Sequence, residues 1–227
     1  DTIDFARQAS LAGVSRFIYL STVKVNGELT SRYSSFTERD TPNPSDPYSI
    51  SKYQAECSLL NLSDSSVMDI VIVRPPLIYG PGVKGNFCTL MKILTYRVPL
   101  PLSLLTENKR SLIGIDNLLD FLEVCSHHHN APGRIFLVSD QYDVSTVELL
   151  LRLGKSKDLP VLLFPLPKVL LRLLTTLTNN RSLYTRLCSS LVVDSSLASQ
   201  LLEWSPPFSL DYGLRRVSIF SNRNHPF

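Results

Sequence analysis

The sequence predicts an α/β protein built around a parallel β-sheet. Three short apolar runs, 16-RFIYLST-22, 68-MDIVIVRPP-76 and 134-RIFLVSD-140, are rich in β-branched and aromatic residues, as strands buried on both faces are. Segments of helical character separate these runs, and the clearest extends from about Tyr48 to Leu60. Buried strands that alternate with helices are typical of a parallel sheet, because each helix returns the chain to the edge where the next strand begins.

The ends of the helices are marked by residues that favour helix termini. Gly13 suits the C-cap of a helix that opens the chain, and Pro47 stands at the entrance of the second helix. Asp116 is the expected N-cap of a helix that extends to about residue 128. Ser145 is the expected cap of a later helix that Gly154 ends. The remaining predicted segments are a polar loop over 24–47, a glycine-rich loop over 77–86, a helix over 87–96 and a mostly helical region from 155 onward.

The composition is that of a folded globular protein, with 227 residues of which 44% are hydrophobic and 19% charged. The net charge is +3 and the basic residues are scattered, which argues against a nucleic acid partner. The longest apolar stretch, 159–177, is interrupted by Pro165, Pro167, Lys168 and Arg172, and we predict no membrane span there. A helix that faces a membrane surface or a partner stays open for this stretch, although we favour buried packing.

The cysteines and histidines give no support for a metal site. Cys57, Cys88, Cys125 and Cys188 stand far apart without a CxxC pair, which indicates reduced thiols in a cytoplasmic protein. The run His127–His129 lies at a predicted helix end, where consecutive side chains diverge rather than converge on one ion. We therefore predict that no metal is bound.

Tyr48 and Lys52, in 46-DPYSISK-52, are the pair with the clearest chemical potential. Residues four apart on a helix share a face, so the phenol and the ammonium can meet at one place. An ammonium beside a phenol stabilises the phenolate, and this makes tyrosine a usable general acid and base. The same spacing also occurs on solvated helix surfaces. The neighbouring motifs decide between these two interpretations. Ligands of parallel sheets bind outside the carboxyl ends of the strands, which here are followed by Ser21–Thr22, by 75–82 and by the loop after Val138, and residues with possible chemistry lie at the first two.

The combination of 17-FIYLSTVKVNGE-28, 48-YSISK-52 and 73-VRPPLIYGPG-82 resembles the extended short-chain dehydrogenase/reductase family. Within it, the closest likeness is to the nucleotide-sugar epimerases and 4-keto-sugar reductases. It runs in order over almost the whole chain, to the tail 201-LLEWSPPFSLDYGLRR-216. A lone YxxxK is common by chance, whereas YxxxK between strand-Ser-Thr and strand-Arg-Pro is specific. The resemblance implies the C-terminal part of a Rossmann-like, doubly wound sheet, an NAD or NADP cofactor, a small-molecule nucleotide-sugar substrate, a cytoplasmic location and a possible homodimer in the full-length protein.

The family resemblance implies that Thr22, Tyr48 and Lys52 are catalytic. Tyr48 is then the proton donor and acceptor, and Lys52 stabilises its phenolate and hydrogen-bonds the nicotinamide ribose. Thr22 hydrogen-bonds the sugar oxygen, and Ser21 is the neighbour that could replace it. The implied cofactor-binding residues are Ser21, Tyr48, Lys52, Pro75 and Pro76. The implied substrate-binding residues are Thr22, Leu77, Asn86, Pro99, Leu100 and Arg110. Asn86 and Arg110 match positions that hold the substrate diphosphate in relatives. The segment 98–102 matches the strand that lies beside the nucleotide base.

Several positions depart from the pattern of relatives. Val23 and Lys24 occupy the places where sugar 4,6-dehydratases carry an acidic pair, which argues against a dehydratase. Asn26 stands where many relatives have tyrosine, and Leu77 stands where many epimerases have asparagine. Epimerases and reductases share the same Tyr, Lys and Thr, so this choice stays open. The motif STVKVNGE most resembles bacterial members that act on UDP-linked N-acetylated sugars in polysaccharide synthesis.

The sequence has no counterpart of the family's glycine-rich pyrophosphate turn or of the acidic residue that binds the adenosine ribose. The glycines of 80-GPGVKG-85 lack the strand and helix of such a turn, and we expect them to fold over the substrate. We expect residues 1–150 to form a partial Rossmann-like domain, with a substrate-binding insert around 80–112. Residues 151–227 are then a mostly helical part of the substrate domain.

Two hypotheses follow from this pattern. In the first, the chain is the later part of a nucleotide-sugar enzyme whose earlier strand–helix units precede Asp1. In the second, it is a truncated, non-catalytic product that acts at most as a binding module. The reading frame upstream of Asp1 distinguishes them, and we expect no calorimetrically measurable NAD(P) binding by residues 1–227 alone.

Overall fold

A three-stranded parallel sheet, whose middle strand is the second one along the chain, forms the centre of the fold. This computed structural model describes residues 2–64, 67–82, 91, 93–177 and 181–224. The strands of the sheet are β1 (Arg16–Leu20), β2 (Asp69–Arg74) and β5 (Arg134–Leu137). Ile72 of β2 pairs with Tyr19 on one side and with Ile135 on the other. The three predicted strands are confirmed, although each ends before its apolar run does.

Helices pack against both faces of the sheet. The named helices, in chain order, are α1 (Thr2–Leu11), α2 (Pro47–Asp64), α3 (Ile115–His127), α4 (Thr146–Ser156), α5 (Lys168–Leu177), α6 (Arg181–Cys188), α7 (Ser196–Leu202) and α8 (Leu210–Asn224). Of these, α1, α2, α3 and α7 cover the sheet. The side chains of β2 alternate between the two faces. Ile70 and Ile72 join the core beneath α1 and α2, whereas Val71 and Val73 join the core beneath α3 and α7. The predicted α/β arrangement with helices on both sides is therefore confirmed.

A second, two-stranded parallel sheet is formed by two segments that lie between β2 and β5 in the chain. It pairs β3 (Leu77–Tyr79) with β4 (Leu112–Gly114). The sequence had predicted a glycine-rich loop from residue 77, and this part of the prediction was wrong. Leu77–Tyr79 follows two prolines, and its apolar residues gain their strand conformation from the pairing with β4, a long-range contact that local sequence does not reveal.

Three of the five predicted helix termini are confirmed, including Pro47 at the start of α2, and two are wrong. Gly13, at φ 81°, follows α1, and the Ser145 hydroxyl accepts a hydrogen bond from Glu148 N at the start of α4. Asp116 lies in the first turn of α3, whose N-cap is Gly114. Gly154 lies inside α4, where a Cβ would come within 2.1 Å of the Val161 side chain. Close packing thus explains this glycine better than helix termination does.

The C-terminal part of the chain contributes to a third core. Its buried members include Tyr79 of β3, Leu150 and Leu153 of α4 and Leu214 of α8. The predicted boundary at residue 150 falls inside α4. Of the predicted helix over 87–96, residue 91 and residues 93–95 are helical, and residues 83–90 and 92 lie outside the described part.

The apolar stretch 159–177 buries one face of its helix. Leu171 and Thr175 of α5 are buried, whereas Val169, Leu170 and Leu173 are exposed. Within the described residues, no helix combines the length and apolarity that a membrane span requires. Cys57, Cys125 and Cys188 are free thiols, and Cys88 lies outside the described residues.

Candidate active site

The carboxyl end of β1 is held directly against the end of β2. Ser21 N donates to Val73 O at 2.7 Å, and Val23 N donates to Pro75 O at 3.0 Å. Thr22 lies between these two bonds and caps a short 3-10 helix, Val23–Val25. Its Oγ1 accepts a hydrogen bond from Lys24 N at 3.3 Å. The main chain therefore fixes Thr22 at the edge of the sheet where ligands of such folds bind.

Local sequence sets the start of α2 and with it the position of Tyr48. Asp46 Oδ1 accepts a hydrogen bond from Ser49 N at 2.7 Å, and Ser49 Oγ accepts one from Asp46 N at 3.2 Å. These two bonds form a reciprocal cap. The capping residue Asp46 directly precedes Pro47, which suits the first helical position because it has no N–H to satisfy. Lys24 forms an ion pair with Asp46. Hydrogen bonds from Lys24 and Ser49 lower the pKa of Asp46 to about 2.

Lys52 reaches from α2 to the end of β1. Its Nζ donates to Leu20 O at 2.9 Å and lies 5.9 Å from the centroid of the Tyr48 ring. The Tyr19 ring lies on the same ammonium, at 4.8 Å. Burial lowers the pKa of Lys52, and the nearby Glu56 carboxylate opposes this effect. Tyr48 itself is 55% exposed, so its phenol is open to a ligand.

The segment after β2 forms the other side of this region. Pro75 and Pro76 are buried, and Leu77, which opens β3, is 41% exposed. The Ser21 hydroxyl is buried, and among the described residues it has no hydrogen-bond partner. A buried hydroxyl without a partner is costly, so an oxygen or nitrogen of a bound molecule would satisfy it at this site.

The remaining predicted substrate-binding residues lie in other segments. Arg110 pairs through its backbone with Val144, and its Nε donates to Ser189 O at 3.3 Å. Leu100 forms an isolated bridge with Leu163, so the strand expected over 98–102 is reduced to one pairing, and Pro99 is exposed. Asn86 lies outside the described residues. The structure thus brings Lys52 close to the Tyr48 ring and to Leu20, two residues before Thr22, whereas Arg110 and Leu100 are held through their own backbone pairing.

A buried ion pair beneath the region was missed from the sequence. We call Asn26, Glu56 and Arg74 the Arg74 cluster. Arg74 Nε and Nη2 donate to the two Glu56 oxygens at 3.0 and 2.5 Å, and Nη1 donates to Asn26 Oδ1 at 3.0 Å. Two signals could have found it, because Glu56 follows Lys52 by one helical turn and Arg74 interrupts an otherwise apolar strand.

A second buried polar group connects β3 to the start of α3 and to the segment that follows β5. We call Tyr79, Gly114, Asn117 and Asp140 the Tyr79 cluster. The Tyr79 hydroxyl donates to Asp140 Oδ2 at 2.7 Å, and Asp140 Oδ1 accepts from Gly114 N at 2.9 Å and from Asn117 Nδ2 at 2.7 Å. Burial raises the pKa of both Tyr79 and Asp140.

The sheet, its covering helices and the Tyr–Lys pair beside the Ser–Thr strand end define a protein of the extended short-chain dehydrogenase/reductase class. The chain belongs to the NAD dependent epimerase/dehydratase family, whose model matches residues 2–138. The family predicted from the three motifs is therefore confirmed.

Known relatives agree with this assignment. The chain is 41% identical over 217 residues to a UDP-glucose 4-epimerase of Vibrio cholerae, covering 96% of this chain and 66% of that protein. The structure resembles UDP-glucuronic acid 4-epimerase from Bacillus cereus in complex with NAD, with a TM-score of 0.79, 20% identity and coverage of 99% of this chain and 65% of the other. It also resembles RMD from Pseudomonas aeruginosa complexed with NADPH, with a TM-score of 0.76, 17% identity and coverage of 96% and 71%. These two likenesses confirm the predicted Rossmann-like fold, and the chain spans about two thirds of the length of the Vibrio and Bacillus relatives.

Proposed function

We propose that this chain carries the proton-transfer centre of an NAD(P)-dependent nucleotide-sugar 4-epimerase or 4-keto reductase. One observation carries the proposal: Lys52 Nζ, bound to Leu20 O at the end of β1, lies beneath the ring of the exposed Tyr48. Thr22 follows Leu20 by two residues. A phenol, an ammonium and a hydroxyl are thus available at one strand end of an NAD-dependent family fold.

Tyr48 is the proposed general acid and base. Moving a hydride to or from a sugar carbon requires a proton to move on the attached oxygen, and a positioned side chain accelerates such a transfer. The Lys52 ammonium favours the phenolate form, because an adjacent opposite charge stabilises an anion. The Thr22 hydroxyl holds the sugar oxygen in line with the phenol. NAD(P) would supply the hydride acceptor and donor.

The residues around the strand ends fit the nicotinamide end of such a cofactor. The buried Ser21 hydroxyl offers an unused hydrogen-bonding group, and the Lys52 ammonium provides further donors toward a ribose. The buried pair Pro75–Pro76 supplies an apolar wall. In this proposal Leu77 contacts the sugar, Asn86 and Arg110 hold the diphosphate, and Pro99–Leu100 lie beside the nucleotide base.

The charges beside Thr22 argue against water elimination. Lys24 stands where a dehydratase needs a carboxylic acid, and its ammonium is paired with Asp46 and with Glu28. The segment Thr22–Asn26 therefore offers no carboxylic acid that could protonate a leaving hydroxyl.

A UDP-sugar is the proposed substrate, because the Vibrio relative is named a UDP-glucose 4-epimerase. That relationship favours epimerisation, whereas the motif STVKVNGE most resembles members that act on UDP-linked N-acetylated sugars in polysaccharide synthesis, some of which reduce a 4-keto group. We place the reaction in the cytoplasm, in a protein that forms a homodimer. The truncated, non-catalytic product is the alternative.

The assay that separates these functions uses the protein expressed from its complete natural reading frame. An epimerase interconverts UDP-glucose or UDP-N-acetylglucosamine and its 4-epimer, with no net change in NAD(P)H absorbance. A reductase instead consumes NAD(P)H in proportion to an added UDP-4-keto-6-deoxy-sugar. Absence of both activities, in a folded protein that contains the described site, would contradict the proposal and favour the non-catalytic alternative.

A further inference from the structure

Arg74 is the last residue of β2 and one of the most deeply buried charged residues that the structure describes. Its side chain is 2% exposed and that of its partner Glu56 is 1% exposed. Removing a guanidinium from water costs several kcal/mol unless its donors are used, and the planar fork meets both carboxylate oxygens at once. A bidentate pair of this kind fixes orientation as well as distance.

The Arg74 cluster joins three segments, and each of them carries part of the proposed site. Asn26 follows Thr22 by four residues and lies just after the 3-10 helix. Glu56 lies one helical turn beyond Lys52 on α2. Arg74 directly precedes Pro75–Pro76. The Arg74 guanidinium therefore bonds both to α2, which carries Tyr48 and Lys52, and to the loop that follows Thr22. Arg74 itself ends β2, the strand that leads into the two prolines.

Tyr48, Lys52 and Glu56 are spaced four residues apart and form one stripe along α2. The Glu56 end of this stripe is held by Arg74, and the Lys52 ammonium is bound to Leu20 O at 2.9 Å. A helix turns by about 100° per residue, so a small rotation of α2 would move Tyr48 and Lys52 sideways relative to Thr22. The ion pair resists such a rotation.

Asn26 extends the same link to the loop after β1. Its Oδ1 accepts from Arg74, and its Nδ2 donates to Thr37 O at 3.0 Å. Both polar atoms of this buried amide are thus hydrogen-bonded, the oxygen to β2 and the nitrogen to the main chain of the loop at Thr37. The neighbouring Lys24–Asp46 ion pair connects the loop to the start of α2.

We propose that Arg74 and Glu56 are positioning residues, which set the rotation of α2 and thereby the placement of Tyr48 and Lys52 against Thr22. This inference rests on the proposed function of the site. Neither side chain is exposed enough to touch a substrate, so both act through the residues on their own segments. A misplacement of about 1 Å can cost roughly 100-fold in rate, which makes this role measurable.

The test is Arg74→Lys in the protein from the complete reading frame, which keeps the charge and loses the fork. We expect kcat to fall by about 100-fold while KM stays within about two-fold, because the acid–base pair shifts and the substrate contacts remain. Glu56→Gln is the second variant, and a fall in kcat of the same kind is expected there. It replaces Arg74→Lys if that variant does not fold.

Arg16→Lys is the matched control. Arg16 opens β1 at the opposite end of the sheet, where its guanidinium bonds to Cys125 O, His128 O and Asp69. Its replacement perturbs the same sheet away from the proposed site. We expect a lower melting temperature with kcat unchanged, and an equal fall in kcat for Arg16→Lys and Arg74→Lys would overturn the inference in favour of a purely structural ion pair.

Tyr48→Phe, measured beside these variants, separates the two levels of the proposal. If Tyr48→Phe is inactive and Arg74→Lys keeps full kcat, the positioning role is wrong and the proposed function stands. If Tyr48→Phe is active, the proposed function is wrong, and the NMR signal of the Lys52 ammonium decides about Arg74. A signal that moves in Arg74→Lys but not in Arg16→Lys supports the structural coupling, and one unchanged in both overturns it.

Discussion

Arg74 and Tyr79 are only five positions apart in the chain, yet their two clusters hold a buried carboxyl group in different ways. In the first, Glu56 meets a guanidinium through two hydrogen bonds. In the second, the hydrogen-bond donors that the described residues offer to Asp140 are neutral, namely a phenol, an amide side chain and a main-chain N–H. The two clusters stand at the two ends of the short segment that contains Pro75, Pro76 and Leu77.

The two clusters should therefore respond differently to mutation and to a change in pH. An ion pair fixes geometry strongly, but either partner becomes an uncompensated buried charge when the other is removed. Burial raises the pKa of Asp140 because it disfavours the charged carboxylate, and the hydrogen bonds from Tyr79, Asn117 and Gly114 only partly oppose this shift, so this carboxyl can be neutralised by a proton instead. We therefore expect the Arg74 cluster to be sensitive to mutation and the Tyr79 cluster to be sensitive to pH.

Arg74→Met should have the largest effect on stability. It leaves Glu56 buried without its partner, and such losses cost about 3–5 kcal/mol of the free energy of unfolding. Urea denaturation measures this change. The double variant Glu56→Leu/Arg74→Met should recover most of the loss, because both charged partners of this buried pair are then replaced by apolar side chains.

Arg32→Met is the control for the ion-pair explanation. Arg32 and Glu107 form an exposed pair at 3.8 Å, and surface pairs contribute about 1 kcal/mol or less. Equal losses for Arg74→Met and Arg32→Met would contradict the proposed difference between a buried and an exposed pair.

Tyr79→Phe should have a smaller effect than Arg74→Met. It removes the hydroxyl that donates to Asp140 at 2.7 Å, and an unsatisfied buried polar group costs about 1–3 kcal/mol. The ring itself stays packed against Gly213, where a Cβ would lie 2.8 Å from it. The same denaturation experiment measures the loss, and a cost as large as that of Arg74→Met would remove the distinction between the clusters.

Asp140→Asn should change the pH dependence of stability more than its magnitude. Because the folded pKa of Asp140 is raised, the folded state binds this proton more tightly than the unfolded state does. The stability from this group is then fully present below its unfolded pKa of about 4 and is lost as pH rises through the folded pKa. Stability curves from pH 3 upward should be flatter in this pH window for Asp140→Asn, and an unchanged slope would show that Asp140 does not titrate there.

Much of the fold could be predicted because its signals are local. The motifs 16-RFIYLST-22 and 68-MDIVIVRPP-76 form strands that are apolar on both faces. The reciprocal cap of Asp46 and Ser49 involves residues within one stretch of four. The pairing of β3 with β4 joins Leu77 to Leu112 and has no local signature. Gly154 was misinterpreted for the same reason, since the residue that requires it, Val161, approaches from the following loop.

The candidate site divides in the same way. Tyr48 and Lys52 were found because a helix places residues four apart on one face. The structure adds that Lys52 is bound to Leu20 O beside Thr22, and the roles of these residues remain predictions. The hydrogen bonds of Arg74 were missed from the sequence because its partners, Asn26 and Glu56, lie 48 and 18 residues away in the chain. Only the folded structure shows that they meet.

The most direct test of the proton-transfer centre is the kcat of Tyr48→Phe in the protein from the complete reading frame. Phenylalanine keeps the ring over Lys52 and removes only the hydroxyl. We predict a loss of about 100- to 10,000-fold in turnover of the UDP-sugar, the range expected for a general acid and base, with an unchanged melting temperature. A folded Tyr48→Phe protein that turns over its substrate at the wild-type rate would contradict the assignment of this chain's chemistry to Tyr48.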